Sequence, residues 1–349
     1  MNGVFIMTLK EIAARAGVST ATVSYVLNGS ARVSDETRRR VEKIVKETGY
    51  RSNILAQSLR KNRTSLIGVV VEDVTVWHAA YVIDGINALA EEKGYHIILS
   101  NLRLLSKIET QFEDISKFQD DIDKAVDILL RMRVDGIIYV GMHDRMIKDV
   151  LHDIDKPVVY CYCYTVGEGS SVCYSNEKAA YQITKHFLEK GHRYFAVIKG
   201  SEQSEPSHMR MRGIEHALKE ENIVLEERNV ITGNWLYEET RVQVREMLKR
   251  SDCPKAFIAM NDEMAVAARD AALEIGLRIP EDISVSGFDN SDIVHYGVPK
   301  ITTMDRPLQS MGYKAIELLL NKVEDGYNGD VNITLPCKMV EGTSIKVLE

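Results

Sequence analysis

Apolar residues recur at helical spacing through the first fifty positions, then give way to short continuous apolar runs. Leu9, Ile12, Ala13 and Ala16 mark one helical face, and Gly17 interrupts it where a left-handed turn costs a glycine least. Ser19 stands at the N-cap of a second helix, Thr20 to Leu27. Val18, Val23 and Val26 supply the apolar side of that pair, leaving Thr20, Ala21, Ser24 and Tyr25 outward. Ser34-Asp35-Glu36 opens a third helix with a cap and two acids in its first turn. Val41, Ile44, Val45 and Thr48 form its stripe, and Gly49 ends it. Two short helices joined by a glycine turn and closed by a third read as a helix-turn-helix, with Thr20 to Leu27 as the recognition helix. An ordinary helical hairpin is the competing reading.

Beyond this head the pattern alternates. Leu66 to Val71 is an apolar run suited to a buried parallel strand; helix Tyr81 to Lys93, strand His96 to Leu99, helix Asp123 to Arg131 and strand Gly136 to Val140 follow. The order restarts at helix Lys178 to Lys190 and strand Tyr194 to Ile198. Strands at Asn229 to Thr232, Ala256 to Met260 and Ser284 to Gly287 then alternate with helices Met209 to Glu221, Glu238 to Lys249 and Met264 to Ile275. An approximate internal duplication and a body of about 285 residues, large for one core, predict two α/β lobes with a cleft between them. The longer, more polar segment Asn101 to Lys124 carries Ile108, Phe112, Ile115, Phe118 and Ile122 as a helical stripe, read as helix packing, with a cleft cover or a dimer face as alternatives.

Charge sharpens the division. Residues 1–63 hold 12 Lys and Arg against 5 Asp and Glu, a net +7, whereas the whole chain carries −7, leaving −14 on the body. A basic head on an acidic body is the distribution that DNA contact demands, and a whole-chain pI of 5.8 conceals it. The basic stretch 51–63 can form two helical turns with Leu55 and Leu59 on one face. Paired in a dimer, such hinge helices would enter the minor groove and insert a leucine, with Arg60, Lys61 and Arg63 near phosphates; a plain basic linker is the alternative.

Other chemistry finds little support. The five cysteines include no Cys-x-x-Cys pair, which suits a reducing cytoplasm and argues against zinc or a disulfide framework. Tyr160, Tyr162 and Tyr164 alternate with Cys161 and Cys163 on an expected strand, placing both thiols on one side; the tyrosines are candidates for cleft lining or for packing. No His-Glu-x-x-His, Gly-x-Gly-x-x-Gly or P-loop occurs, so neither catalysis nor a cofactor is expected. Val4 to Met7 is too short for a signal peptide or a membrane span, and Met7 is an alternative start.

Ligands of open α/β sheets sit beyond the carboxyl ends of strands, so the loops after Val71, Lys199, Thr232, Met260 and Phe288 should face the cleft. Those loops hold Glu72, Asp73, Trp77 and His78, then Arg210, Trp235, Asn261, Asp262 and Asp289. A guanidinium fork and a carboxylate hold paired hydroxyls while an indole covers the apolar face of a sugar ring. Asp73, Trp77, His78, Arg210, Trp235, Asn261 and Asp289 are therefore the candidate effector-binding residues. Packing at Trp235, a turn cap at Asp289 and a surface-helix position at Arg210 are the competing readings.

Taken in order, Thr8 to Asn28, Val33 to Arg38, Gly49-Tyr50, Ala56-Gln-Ser-Leu-Arg60, Arg63 to Gly68, Gly191-His192-Arg193, Arg210 to Gly213, Asn261 to Ala265, Ile279 to Asn290 and Ile301 to Thr303 resemble the lac repressor (LacI/GalR) family of bacterial transcription regulators. The resemblance runs from Thr8 to about Ser344. It implies an all-α headpiece at 1–50, a hinge at 51–63 and a body at 64–349 of the type I periplasmic-binding-protein fold, with two Rossmann-like parallel-sheet lobes. Lobe 1 would hold about 64–163 and 293–325, and lobe 2 about 164–292 and 326–349. In the headpiece, Thr8, Ser19, Thr20, Ala21, Thr22, Ser24, Tyr25 and Asn28 would meet DNA; in the hinge, Asn53, Ala56, Gln57, Leu59 and Arg60 would. Arg210, Trp235, Asn261 and Asp289 fall on positions that contact effector in sugar-responsive members.

The departures matter as much. Tyr25 stands where the family often has Arg, removing a bidentate donor to guanine, so the operator base read there should differ. Ser52 replaces a common hinge proline, Trp77-His78-Ala79 occupies a stretch that often carries paired phenylalanines, and Ser175-Asn176 sits where Asp-Asn is frequent. No relative's effector transfers directly. The expected function is a cytoplasmic, homodimeric repressor of carbohydrate-utilisation genes on a pseudo-palindromic operator, controlled by a small molecule, expected to be a sugar, in the cleft. A solute-binding receptor on the same body fold, and a regulator controlled by a protein corepressor, are the alternatives. The short tail after the body lacks heptads, favouring a dimer over a tetramer.

Overall fold

The computed structural model describes residues 7–27, 32–50, 63–108, 115–148, 150–151, 154–165, 169–326 and 329–348. The chain forms two compact units, Met1–Ser65 and Leu66–Glu349.

In the first unit, helix α1 (Leu9–Ala16) begins at Thr8, whose hydroxyl accepts from the Glu11 amide at 3.4 Å while Glu11 Oε2 accepts from the Thr8 amide at 2.6 Å. This capping box satisfies two amides that a helix start leaves exposed. Gly17 ends α1 at φ 63°, and Ser19 Oγ accepts from the Thr22 amide at 3.1 Å to start α2 (Thr20–Leu27). Ser34 does the same for α3 (Asp35–Thr48), which Gly49 closes at φ 61°. Ile12, Ala13, Ala16, Val23, Val26 and Val41 are buried together, the small core that the apolar spacing predicts. The contacts expected at Asn28 and, in the hinge, at Asn53, Ala56, Gln57, Leu59 and Arg60 lie outside the described residues.

The second unit is built on two large parallel sheets, beside a two-stranded parallel pair of Met146–Ile147 with Tyr164–Thr165. The first contains β1 (Leu66–Val71), β2 (His96–Asn101), β3 (Gly136–Val140), β4 (Val158–Cys161), β5 (Ser170–Tyr174) and a late strand at Asn332–Leu335, in the order late strand, β5, β4, β3, β1, β2. The second contains β6 (Phe195–Lys199), β7 (Val230–Thr232), β8 (Ala256–Ala259) and β9 (Ser284–Ser286), in the order β9, β8, β6, β7. All pairings within these two sheets are parallel. The central strands β1 and β3 are buried on both faces, so their sequences run apolar without alternation.

Helices Trp77–Glu92 and Leu308–Asp325 cross backbone against backbone beside the first sheet: a Cβ on Gly85 would meet the Gln309 carbonyl at 2.0 Å, and one on Gly312 the Val82 carbonyl at 2.0 Å. Glycine at both positions lets the two helices touch. A short antiparallel pair, β10 (Thr303–Asp305) with Lys338–Val340, lies near the second chain crossing.

Three expectations are corrected. The first lobe crossing falls after Tyr174, not near residue 163, because β5 pairs with β4. The last falls after Leu335, not near 325, because Asn332–Leu335 pairs with β5. The strand expected through Tyr160 to Tyr164 breaks at Tyr162, which takes φ 62°. Cys161 and Cys163 thus enter separate cores on either side of the break, instead of sharing a face. In the segment 101–124, Ile115 and Ile122 are buried with Val126 and Leu129, and Phe118 packs against them, while Phe112 of the expected stripe lies outside the described residues.

Candidate functional site

The recognition-helix candidate α2 buries Val23 and Val26 and leaves Ala21 and Tyr25 exposed, with Thr20, Thr22 and Ser24 half-buried. Ser19 and Thr22 hydroxyls lie 2.9 Å apart at its start, and Thr8 and Ser19 both serve as caps on exposed helix N-termini. Free amides there favour an anion such as a phosphate. Tyr25, 42% exposed on the outer face, presents a ring and one hydroxyl where a guanidinium would make two parallel bonds.

In the second unit, strand ends and the loops and helices after them converge on one cavity. Trp77 and His78 open the helix after β1, His143 follows β3, Tyr162 follows β4, and Tyr174 ends β5. From the second sheet come Pro206 and Arg210 on helix Glu205–Glu220, Trp235 after β7, Asn261 after β8 and Asp289 after β9; Arg306 follows β10. The cavity encloses about 140 Å³ and opens to solvent.

Six of the seven residues expected here, Trp77, His78, Arg210, Trp235, Asn261 and Asp289, line this cavity. Asp73 does not. Its carboxylate accepts from the Thr75 amide at 2.9 Å, the Thr75 hydroxyl at 2.6 Å and the Leu105 amide at 2.9 Å, so it ties two loops together beside the site. Of the three tyrosines Tyr160, Tyr162 and Tyr164, only Tyr162 is in the lining.

Asp289 is the electrostatic centre. Its Oδ1 lies 3.1 Å from Arg306 Nε and 3.8 Å from Arg210 Nη2. Burial pushes its carboxyl up, and the Arg306 and Arg210 charges pull it back. Arg210 is fixed on every side: Nε donates to Asn176 Oδ1 at 2.8 Å, Nη2 to the Tyr174 hydroxyl at 3.0 Å and Nη1 to the Met260 carbonyl. Its guanidinium also stacks 3.7 Å from the Phe288 ring. Arg306 donates from Nη1 to the Tyr162 hydroxyl and lies 4.8 Å from the Trp77 ring.

The histidines are neutral. His78 Nε2 donates to the Met142 carbonyl at 2.8 Å, and burial followed by the Arg306 charge holds its pKa well below the usual value. His143 is pushed down to about 3 by burial and then by Arg145 and Arg306. With its Nε2 proton committed, His78 keeps Nδ1 as an acceptor. Asn261 caps helix Asp262–Glu274 by accepting from the Met264 amide at 2.8 Å, and its amide nitrogen donates to the Trp235 carbonyl at 3.3 Å. Tyr162, Trp235 and Asp289 adopt φ of 62°, 69° and 122°. Such backbones cost about 1–3 kcal/mol each and persist only where surrounding structure imposes them.

His143, Tyr174, Pro206 and Arg306 join the lining without being among the residues the sequence singles out. The strand-end rule that singled out Asp289 would also reach Arg306, one residue beyond β10. Behind the wall, Glu72 is fully buried against Arg145 at 2.9 Å and accepts from Tyr139 and the Met142 amide, a structural pair that holds the loop bearing His143. Among the described residues no group of three His, Cys, Asp or Glu side chains could hold a metal, and no helix is long and apolar enough to cross a membrane.

Residues 8–53 match the family "Bacterial regulatory proteins, lacI family", and residues 184–345 match the "Periplasmic binding protein-like domain". The HTH-type transcriptional repressor PurR of Vibrio atlanticus (strain LGP32) is 30% identical over 346 residues, 98% of this chain and 99% of that protein. Among solved structures, the lac repressor dimer bound to operator and the anti-inducer ONPF matches with a TM-score of 0.80 at 25% identity, covering 98% of this chain and 99% of that one. A complex of the transcriptional regulator CelR with cellobiose matches at 27% identity and a TM-score of 0.66, covering 97% and 99%. A capped three-helix head, a two-sheet body and full-length likeness to repressors point the same way: the chain belongs to the lacI family of bacterial regulatory proteins, which regulate transcription by binding DNA and are not enzymes.

Proposed function

We propose that this regulator binds a pseudo-palindromic operator as a homodimer in the cytoplasm and represses carbohydrate-utilisation genes, and that a sugar or sugar derivative in the cavity lowers its operator affinity. One observation carries the small-molecule half of this reading: Arg210 and Arg306 converge on Asp289 between the indoles of Trp77 and Trp235. Fork and carboxylate present donors and acceptors for paired hydroxyls, and the indoles present flat apolar faces. The lining comes from both sheets, so a ligand that fills it biases how the lobes stand to each other, which is the differential contact an allosteric effector requires.

The CelR complex holds cellobiose, and the lac repressor structure is a dimer on operator; both support the reading by likeness. The basic helix-turn-helix head favours a regulator over a solute receptor, and a formed cavity favours a small effector over a protein corepressor.

The test is thermal melting of the full chain against monosaccharides, disaccharides, sugar acids, sugar phosphates and purines, followed by operator gel shift with each stabilising compound. A sugar-class compound that raises the melting temperature and releases operator supports the proposal, because a ligand specific for the folded state stabilises by mass action. A purine hit, or silence across the panel from a folded dimeric protein, overturns the sugar reading.

A further inference from the structure

The cavity carries more positive than negative charge. Arg210 and Arg306 are both buried in its wall, and Asp289 is the one acidic residue among those that line it. The other titratable groups facing the space are His78, His143, Tyr162 and Tyr174. Both imidazoles are kept neutral by burial and the neighbouring guanidiniums, and burial keeps both phenols protonated.

Acidic groups behind the wall are already engaged. Glu72 pairs with Arg145, Asp144 Oδ2 accepts from Asn176 at 2.7 Å, and Asp262 accepts from Thr303 at 2.5 Å and from the Ser291 amide at 2.7 Å. An ionised Asp289 leaves one positive charge in excess on the lining, and a protonated one leaves two. The sign is the same either way.

The two guanidiniums differ in what they have left to give. Arg210 is held through Nε, Nη1 and Nη2 by the protein. Arg306 Nε, although 3.1 Å from Asp289 Oδ1, is not aligned with it and has no hydrogen-bond partner. Its side chain is only 4% exposed and lies against Trp77 at the cavity wall. A buried cation with an unmet donor is costly, and a ligand that supplies an oxygen anion there relieves both deficits.

We propose that the effector is an anionic sugar derivative whose acid group, a carboxylate or a phosphate, is received by Arg306. This rests on the sugar reading of the cavity given above and narrows it to ligands with one negative charge or more.

Calorimetric titration at pH 7.5 decides it with matched sets: glucose, glucuronate and glucose 6-phosphate; galactose, galacturonate and galactose 6-phosphate; cellobiose and cellobionate. The expected result is that an acid member binds about ten-fold or more tightly than its neutral parent, with the uronate and phosphate arms telling the two acids apart. Arg306→Gln should erase that preference while keeping operator binding. Neutral parents that bind as well as their acids overturn the anionic proposal and leave the sugar reading standing. Binding by none of the compounds, with the operator still bound, overturns both. If Arg306→Gln does not fold, the wild-type comparison alone decides.

Discussion

A Cβ placed on Gly200 would stand 2.0 Å from Cζ2 of Trp235, so the indole occupies the space that any larger residue there would need. The end of β6 is thereby the seat of the cavity's second indole. Gly200→Ala should push the ring off its seat and weaken effector binding by about ten-fold, the scale of one lost aromatic contact. Circular dichroism and operator affinity should stay as in the wild type. Unchanged effector affinity in calorimetry would remove Trp235 from the binding surface.

Asp289 balances two buried guanidiniums. Replacing it by alanine strands Arg306 and Arg210 without their countercharge, and the expected loss is about 3 kcal/mol of folding stability, read from the denaturant midpoint. Adding Arg306→Met to the same chain should recover part of that loss, because an apolar side chain then fills the site of an unpaired ion. Strict additivity of the two changes would show that the residues do not interact.

Burial, and then the neighbouring Asp289 charge, pushes the Asp262 carboxyl up to about 7. An unfolded Asp titrates near 3.9, so between about pH 4 and 7 the native state holds a proton that the unfolded chain has released. The stability this group contributes is complete below that window and lost as pH rises through it. His143 has the opposite sign: held down to about 3, it stays neutral while the unfolded chain takes up a proton below about 6.5, so acid removes stability. Melting temperatures of wild type and Asp262→Asn from pH 4 to 8 isolate the first effect. The variant should gain on the wild type as pH rises, and a constant gap would mean that Asp262 is ionised throughout.

Two headpiece residues separate folding from recognition. Ser19→Ala removes the cap on the Thr22 amide and should lower headpiece stability by about 1 kcal/mol. Tyr25→Ala, on the exposed face, should leave melting unchanged and weaken specific operator binding by about ten-fold, one base contact's worth. Gel shifts with operator and with unrelated DNA check it; equal loss on both would make Tyr25 a backbone contact.

What could be read from sequence tracks where the physics is local. Strands Leu66–Val71 and Gly136–Val140 match their expected bounds, because a doubly buried strand writes itself as an unbroken apolar run. Helix Trp77–Glu92 begins before the expected Tyr81 because Val76 at its N-cap gives no capping signal, whereas helix Glu205–Glu220 begins before the expected Met209 although Ser204 at its N-cap and Pro206 in its first turn do mark the start. Tyr162 broke an apparent alternation because its left-handed backbone is imposed by tertiary contacts, not by residue type. In the site, Arg306 lies in the polar stretch Asp305-Arg306-Pro307, which carries no local signal of burial; only the fold buries it. Asp73 is the opposite case, a loop carboxylate whose partners, Thr75 and Leu105, are visible only in three dimensions.

The strand Asn332–Leu335 that closes the edge of the first sheet has a further consequence for how the protein is made. The first lobe lacks its outer strand until residue 335 has been synthesised, and the second awaits Ser344, whose carbonyl accepts from the Val285 amide at 2.9 Å. Neither lobe can finish alone as it leaves the ribosome, so the body matures as one unit after nearly all of it has emerged. The headpiece, whose small core is formed between Ile12 and Val41, can close first and wait.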